Sequence, residues 1–404
     1  MPSKAASTTG LQFLIPDLLK FGSGSRTAHG YGWLTEQGLV DSSEGEHLWL
    51  TARMTYIYAL GALMQTEGSA ELAEHAIHSL ATTFWDSEHS GWFGQIKDRQ
   101  PTNPHKEAYQ HSFVLLAAAT AKLARIPGAQ ALLDQAVEVF EAHFWDDEAV
   151  MVLESWDRTF SELEDYRGAN ANMHCVEAFL AAADATGDTI WLTRALAVSD
   201  RLINGAARAQ GWLLPEHFSA SWEPLLEYNV ANPTHKFRPY GATIGHWFEW
   251  SRLVLTLSGA LKRNAMEAPD WLLECAKELF TKGIQFWAID GNPGFVYTVD
   301  WHEIPVVTER MHWVVTEAIG AAAVLFEYTR EPQFLQWQET TERHLVEVFL
   351  TDPGSLRHEV SATLEPSHKV WQGRPDIYHS VQACLIPAVE NNSSLGLALQ
   401  KISR

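Results

Sequence analysis

The chain has 404 residues, enough for one large core or two ordinary domains, and its 46% hydrophobic and 20% charged residues suit a globular protein. A formal charge of −21 argues against nucleic acid or an anionic membrane as partner, and no window approaches 18 uninterrupted apolar residues. Cys175, Cys275 and Cys384 are odd in number and sit inside apolar patterns, as small core residues of a reducing compartment, so a cytoplasmic location is expected.

In chain order the apolar periodicity predicts an almost wholly helical protein. A short helix over 15–21 is broken at Tyr31-Gly32-Trp33-Leu34. Helices then follow over 46–65, 70–84, 107–124, 129–144, 173–186 and 191–206. A second series covers 245–261, 271–286, 314–329, 332–349 and 377–387. No low-complexity or Pro/Ser-rich linker divides them, so residues 1–404 are expected to form one domain.

The helix ends repeat. Phe84-Trp85-Asp86 leads to Gly91-Trp92-Phe93, and Phe144-Trp145-Asp146 leads to Leu153-Glu154-Ser155-Trp156. Gly211-Trp212-Leu213 leads to Glu216-His217-Phe218, Phe286-Trp287 to Gly294-Phe295, and Phe349 to Leu356-Arg357-His358-Glu359. A spacing of roughly 60–75 residues fits one helical hairpin and one long loop per unit. About six such units either form an open solenoid or close into a ring. Closure is preferred, because the residues with chemical potential cluster at helix starts and loops, which a toroid gathers at one mouth.

Those residues are specific. His246 and Glu249 lie three apart where the loop Phe237–Gly245 enters a helix, with Arg238 just upstream. A titratable imidazole beside a carboxylate suits proton transfer, although a buried pair that only satisfies itself has the same pattern. Trp49 and Arg53 share a face at spacing four, as do Trp313 and Glu317. Lys106, Tyr109 and His111 open another helix. Asp165 to His174 concentrates polar groups ahead of an apolar helix, with Asn172 as its expected cap. Asp376 is the expected N-cap of a last helix that carries His379 in its first turn. The 17 Trp stand mainly beside Gly, His or acidic residues, as the aromatic faces of carbohydrate sites do. No Gly-rich nucleotide loop, nucleophile elbow or paired-Cys metal pattern occurs, and the H-x-x-E of His246 and Glu249 is a weak metal signal. A glycosidase that uses two of Glu249, Glu317 and Asp376 remains open, as does a non-enzymatic helical-repeat scaffold.

Seven segments together carry a family resemblance: His47–Arg53, Tyr109-Gln110-His111, Glu154–Asp157, Asp165–Gly168, Asn170–His174, Gly245–Trp250 and Asp376–His379. In combination and order, from about Gly32 to Pro387, the chain resembles the N-acylglucosamine 2-epimerase superfamily and, within it, the aldose–ketose isomerase branch. The resemblance implies an (α/α)6 barrel, all-α with short β-hairpins at one mouth. It also implies metal- and cofactor-independent interconversion of an aldose and a 2-ketose through a cis-enediol(ate). His246 and His379 match the catalytic histidines. Arg53, Tyr109, Asn172, His174, Arg238, Glu249 and Trp313 match the surrounding site, with Trp49, Glu317 and Asp376 beside them as candidate sugar contacts. His379 is assigned the C1/C2 proton, and His246 the sugar oxygens with Glu249 orienting its ring; Arg53 is assigned the enediolate oxygen. The two histidine roles are interchangeable at this stage. Pro375, where a sulfosugar binder would place a polar side chain, favours D-mannose and D-fructose, with D-lyxose and D-xylulose as possible further substrates. Arg238 and Arg374 keep sulfoquinovose open. The absence of an evident nucleotide-effector element disfavours N-acylglucosamine 2-epimerisation.

Overall fold

The structure, a computed structural model, describes residues 10–351 and 354–403; the ends of the domain expected over 1–404 lie outside these. After α1 (Ile15–Ser23) come five helical hairpins, the first being α2 (Leu48–Leu63) with α3 (Ser69–Thr82). The next are α4 (Ala108–Leu123) with α5 (Ala129–Val139), and α6 (Ala169–Thr186) with α7 (Ile190–Ser199). Then follow α8 (Ile244–Arg263) with α9 (Trp271–Ile284), α10 (His312–Thr329) with α11 (Pro332–His344), α12 (Tyr378–Leu385) and α13 (Leu395–Ile402).

Two kinds of helix make two layers. In α2 every residue except Ala62 is buried, the signature of a helix surrounded by protein. In α3 the buried set is Ser69, Ala73, Ala76, Ile77, Ser79 and Leu80, a stripe that faces inward from an outer layer. Inner helices α2, α4, α6, α8, α10 and α12 pack each on the next, and α12 returns to α2. The first helix, α1, packs on α12 and α2 and supplies the sixth outer member, so the two ends of the chain close the ring. The fold is an (α/α)6 barrel. No described helix is long and apolar enough to cross a membrane.

The hairpins follow one rule that matters for the site. A two-residue strand precedes each of five inner helices and pairs antiparallel with the hairpin of the same unit: 46–47 with 95–96, 106–107 with 155–156, 167–168 with 217–218, 242–243 with 298–299, and 310–311 with 359–360. The first N–H of each of those helices then donates to a carbonyl in that hairpin, from Gly94, Glu154, Glu216, Tyr297 and His358 in turn. Helix starts need such acceptors because their first N–H groups have none within the helix. The side chains at these hairpin positions are thereby set beside the inner-helix N-termini, at one mouth.

Most helix ends shift by one to three residues from expectation, and one start and one further helix differ by more. The helix expected from 173 begins at Ala169, whose N–H meets the Glu216 carbonyl. Asn172 is therefore inside the first turn, not its cap. A further helix, α13, packs at the far end, where Gln400 and the capping residue Ser403 donate side-chain bonds to the last carbonyls of α4 and α2.

Candidate active site

Residues from all six inner helices meet in one cavity at the mouth, lined by Trp49, Arg53, Tyr109, His174, His246, Glu249, Trp313, Asp376 and His379. Each imidazole of interest has one nitrogen committed. His379 Nδ1 lies 2.8 Å from Glu317 Oε1, and His246 Nδ1 lies 3.0 Å from both oxygens of Glu216. With Nδ1–H given to a carboxylate, Nε2 is left as a proton acceptor. Trp313 stands beside both rings, 5.3 Å from His246 and 5.5 Å from His379 between centroids. That approach requires Gly245, since a β-carbon there would overlap the Trp313 ring. Burial, reinforced by the Arg53 guanidinium, holds His379 well below the ordinary imidazole value, so it rests as a neutral base.

Arg53 is held at both terminal nitrogens of its guanidinium. Nη1 bonds Asp376 Oδ2 at 3.2 Å, and Nη2 bonds the Tyr109 hydroxyl at 3.2 Å. Its guanidinium carbon lies 4.4 Å from the Phe113 ring centroid and 4.5 Å from that of Tyr378. The other oxygen of Asp376 accepts the Tyr378 N–H at 2.9 Å, so Asp376 does satisfy the start of α12, although Ile377 holds the N-cap position. One carboxylate thus ties a rigid cation to the helix that carries His379.

Beneath them lies a charged floor. Arg252 Nε bonds Glu317 Oε2 at 3.1 Å, and Nη2 approaches Glu249 Oε1 at 3.5 Å. Glu177 accepts from the Tyr378 hydroxyl and from Gln382 Nε2. His174, Glu177 and Glu249 bring donor atoms within 4.8 Å of one another, the spacing of a metal site. Arg252 faces the same carboxylates, and its charge opposes a second cation there.

A larger chamber of about 770 Å³ opens outside the first and shares Trp49, Tyr109, Asn170 and Phe237 with it. Arg238 belongs to this chamber, clamped by Glu164 at 2.7 and 2.9 Å. Glu154 lies beside it, pushed up to about 7 by burial.

Of the residues singled out in the sequence, the structure brings Arg53, Tyr109, His174, His246, Glu249, Trp313, Trp49, Asp376 and His379 to one cavity. Asn172 is elsewhere: its amide bonds backbone at Val152 and Gly168 and holds the hairpin on α6. Glu317 stands behind His379 rather than on the cavity wall. Glu249 does not meet His246, because residues three apart on α8 diverge once the imidazole turns toward the rim; Glu216 takes that place. Arg374 turns to the hydroxyls of Thr351 and Ser355. Sequence reasoning missed Glu216, Lys236, Phe237, Tyr297, His312, His358 and Trp371. The signal for three of them was the repeat itself, since Glu216, Tyr297 and His358 hold equivalent hairpin positions.

The N-acylglucosamine 2-epimerase (GlcNAc 2-epimerase) family model matches residues 30–383. A D-mannose isomerase of Thermobifida fusca is 44% identical over 378 residues, 93% of this chain and 92% of that protein. Another from Pseudomonas cannabina pv. alisalensis is 42% identical over 388 residues, 95% of this chain and 92% of that one. Among solved structures, a D-mannose isomerase superposes with a TM-score of 0.86 at 22% identity, covering 96% of this chain and 99% of that one. The cellobiose 2-epimerase of Spirochaeta thermophila gives 0.77 at 19% identity, over 96% and 94%. These two structural likenesses bear on fold.

Proposed function

The chain belongs to the N-acylglucosamine 2-epimerase family, and we propose that within it the protein is an aldose–ketose isomerase that interconverts D-mannose and D-fructose without a metal. The observation that carries this reading is the pair of imidazoles beside Trp313, each with Nδ1 committed to a carboxylate. Names of relatives at 44% and 42% identity support the choice of sugar.

The chemistry follows from those positions. In the open-chain aldose, His379 Nε2 takes the proton from C2 while O1 gains one, giving a cis-enediol. Return of the proton to C1, with loss of the proton on O2, gives the 2-ketose. A single base serves both carbons because they lie on one face of the enediol. Glu317 stabilises the imidazolium formed midway and holds its tautomer. His246, oriented by Glu216, exchanges protons with the sugar oxygens. Arg53 faces the oxygen on which charge develops, the role a metal fills in other isomerases.

One observation favours a second sugar class. Lys236 lines the same cavity, 5.0 Å from the Trp33 ring centroid, and suits an anionic group at C6 such as a sulfonate. Purified protein incubated with mannose in a chelator should form fructose, and mannose should outcompete sulfoquinovose in kcat/KM. Preference for sulfoquinovose would move the protein to that branch, and activity restored by one divalent ion would refute the metal-free route.

A further inference from the structure

Glu249 has lost the role that its sequence position suggested, and its surroundings raise a different one. It is 1% exposed on the cavity wall, and among the described residues its Oε2 has no hydrogen-bond partner. Its Oε1 makes only long contacts, 3.5 Å to Arg252 Nη2 and 3.8 Å to His174 Nδ1. An ionised carboxylate buried in that way is strongly disfavoured, whereas a neutral one with an O–H has a donor to offer.

The charge balance points the same way. Glu177 on α6, Glu249 on α8 and Glu317 on α10 all face a single guanidinium, Arg252 on α8. His174 is held neutral, near 4, chiefly by burial. From α12 come the uncharged Gln382, Tyr378 and His379. Arg53 on α2 is already neutralised by Asp376, with the Tyr109 hydroxyl from α4 on its other side. Three carboxylates against one cation in a buried site call for a proton on one of them. Burial pushes both Glu249 and Glu317 upward. Glu317, however, accepts from His379 Nδ1 and Arg252 Nε, one donor per oxygen, and those bonds favour its charged form. Glu177 accepts from Tyr378 and Gln382 and rests near 2, because His174, Arg252 and Tyr378 outweigh the upward push of burial. The partnerless oxygen of Glu249 is where the proton sits with least conflict.

We propose that Glu249 works as a neutral carboxylic acid, donating through Oε2–H to a sugar oxygen on C1 or C2 as charge develops there. It is a catalytic residue of the hydrogen-bonding kind and complements Arg53: one group offers full charge, the other a donor that leaves the floor's net charge unchanged. This rests on the isomerase reading for its kinetic consequence but not for the protonation state itself.

Two measurements test it. Infrared difference spectra of substrate-free wild type and Glu249→Gln at neutral pH read the first. A protonated-carboxyl carbonyl band present in wild type and lost in the variant is expected; its absence from wild type overturns the proposal, whatever the sugar. The second compares Glu249→Gln, which keeps a neutral donor, with Glu249→Met, which keeps the volume and lacks one. Met should cost on the order of 10²-fold in kcat, as loss of an oxyanion donor does, and Gln roughly tenfold or less. Equal losses in the two would show that the charged carboxylate is the working form, and near-wild-type turnover by Met would remove Glu249 from the chemistry. Failure of the isomerase reading would appear separately, as no turnover of any aldose by wild type with the infrared band intact.

Discussion

The floor of the cavity and its rim are built by different means. Floor residues such as Arg53, His174, Glu177, Glu249, Arg252 and Glu317 project from inner helices and are buried, so each charge survives only with a partner within about 4 Å. Rim residues such as Glu216, Tyr297 and His358 sit on hairpins beside the next helix start, and Lys236 and Phe237 belong to the long loop above. The two catalytic candidates divide between them. His379 takes its carboxylate from the floor, and His246 takes its own from the rim. Floor geometry is enforced by electrostatics in a low-dielectric site, whereas rim geometry is enforced by backbone pairing. Perturbing each should therefore look different.

The sharpest break is at His379 itself. The substitution His379→Asn removes the base while keeping a polar side chain, and kcat should fall by roughly 10²–10⁴-fold with little change in Tm. Near-wild-type turnover would pass the proton to His246. The pH profile adds a check. Because His379 is held well below its ordinary value of 6.5, it stays the neutral base until the pH falls well under that value. Wild-type kcat/KM should show no His379 inflection at 6.5. For stability the sign runs the same way: the unfolded chain binds a proton below 6.5 that the folded imidazole refuses, so His379 costs no stability above 6.5 and lowers it as pH falls.

Next comes the contrast between the two carboxylates. Glu317→Gln disturbs the His379 tautomer and leaves Arg252 short of a buried partner, so about 10²-fold in kcat and on the order of 3 kcal/mol of stability should be lost together. Glu216→Gln keeps an acceptor for His246 and the backbone hairpin that holds it, and should cost roughly tenfold in kcat with about 1 kcal/mol or less of stability. Chemical denaturation and kinetics on both variants decide this. Equal destabilisation would mean that rim and floor are not mechanically distinct.

The same division explains what could be read from the sequence. Arg53, His246, Trp313, Glu317 and His379 lie in short motifs at the starts of inner helices, and those motifs in their order along the chain made them legible; the apolar pattern did not, since these helices are buried nearly all round. The six-unit repeat was visible too, in the Phe-Trp-Asp and Gly-Trp-Phe helix ends. Glu216 was visible only as a member of that repeat and not as the partner of His246, because it lies 30 residues before His246 in a hairpin whose register is set by pairing with the earlier strand 167–168. The expected His246–Glu249 contact failed for a related reason. Spacing of three places two residues on one face, but the partner an imidazole turns to depends on elements that spacing cannot see. Asn172 failed because the helix starts earlier than apolar periodicity alone indicates: Ala169 is recruited by the Glu216 carbonyl.

The smallest effect should fall outside both regions, at Arg238. The family resemblance implied a sugar contact for it, yet its guanidinium is spent on Glu164 in the outer chamber and stacks 4.0 Å over the Tyr166 ring. Arg238→Met keeps the apolar stem against Tyr166 and removes the charge. The ion pair is partly exposed on both sides, with side chains 25% and 36% accessible, so its loss should cost about 1 kcal/mol or less. What does change is Glu154, 3.9 Å away, which burial already pushes up to about 7 and which Arg238 pulls back. Without the arginine Glu154 should titrate higher still and remain protonated through the neutral range. As neither residue lines the inner cavity, kcat on mannose should stay within about threefold of wild type, as for a residue that makes no transition-state contact. A loss of tenfold or more, confined to kcat, would put Arg238 back on the reacting sugar and would mean that the chamber and the cavity act as one site.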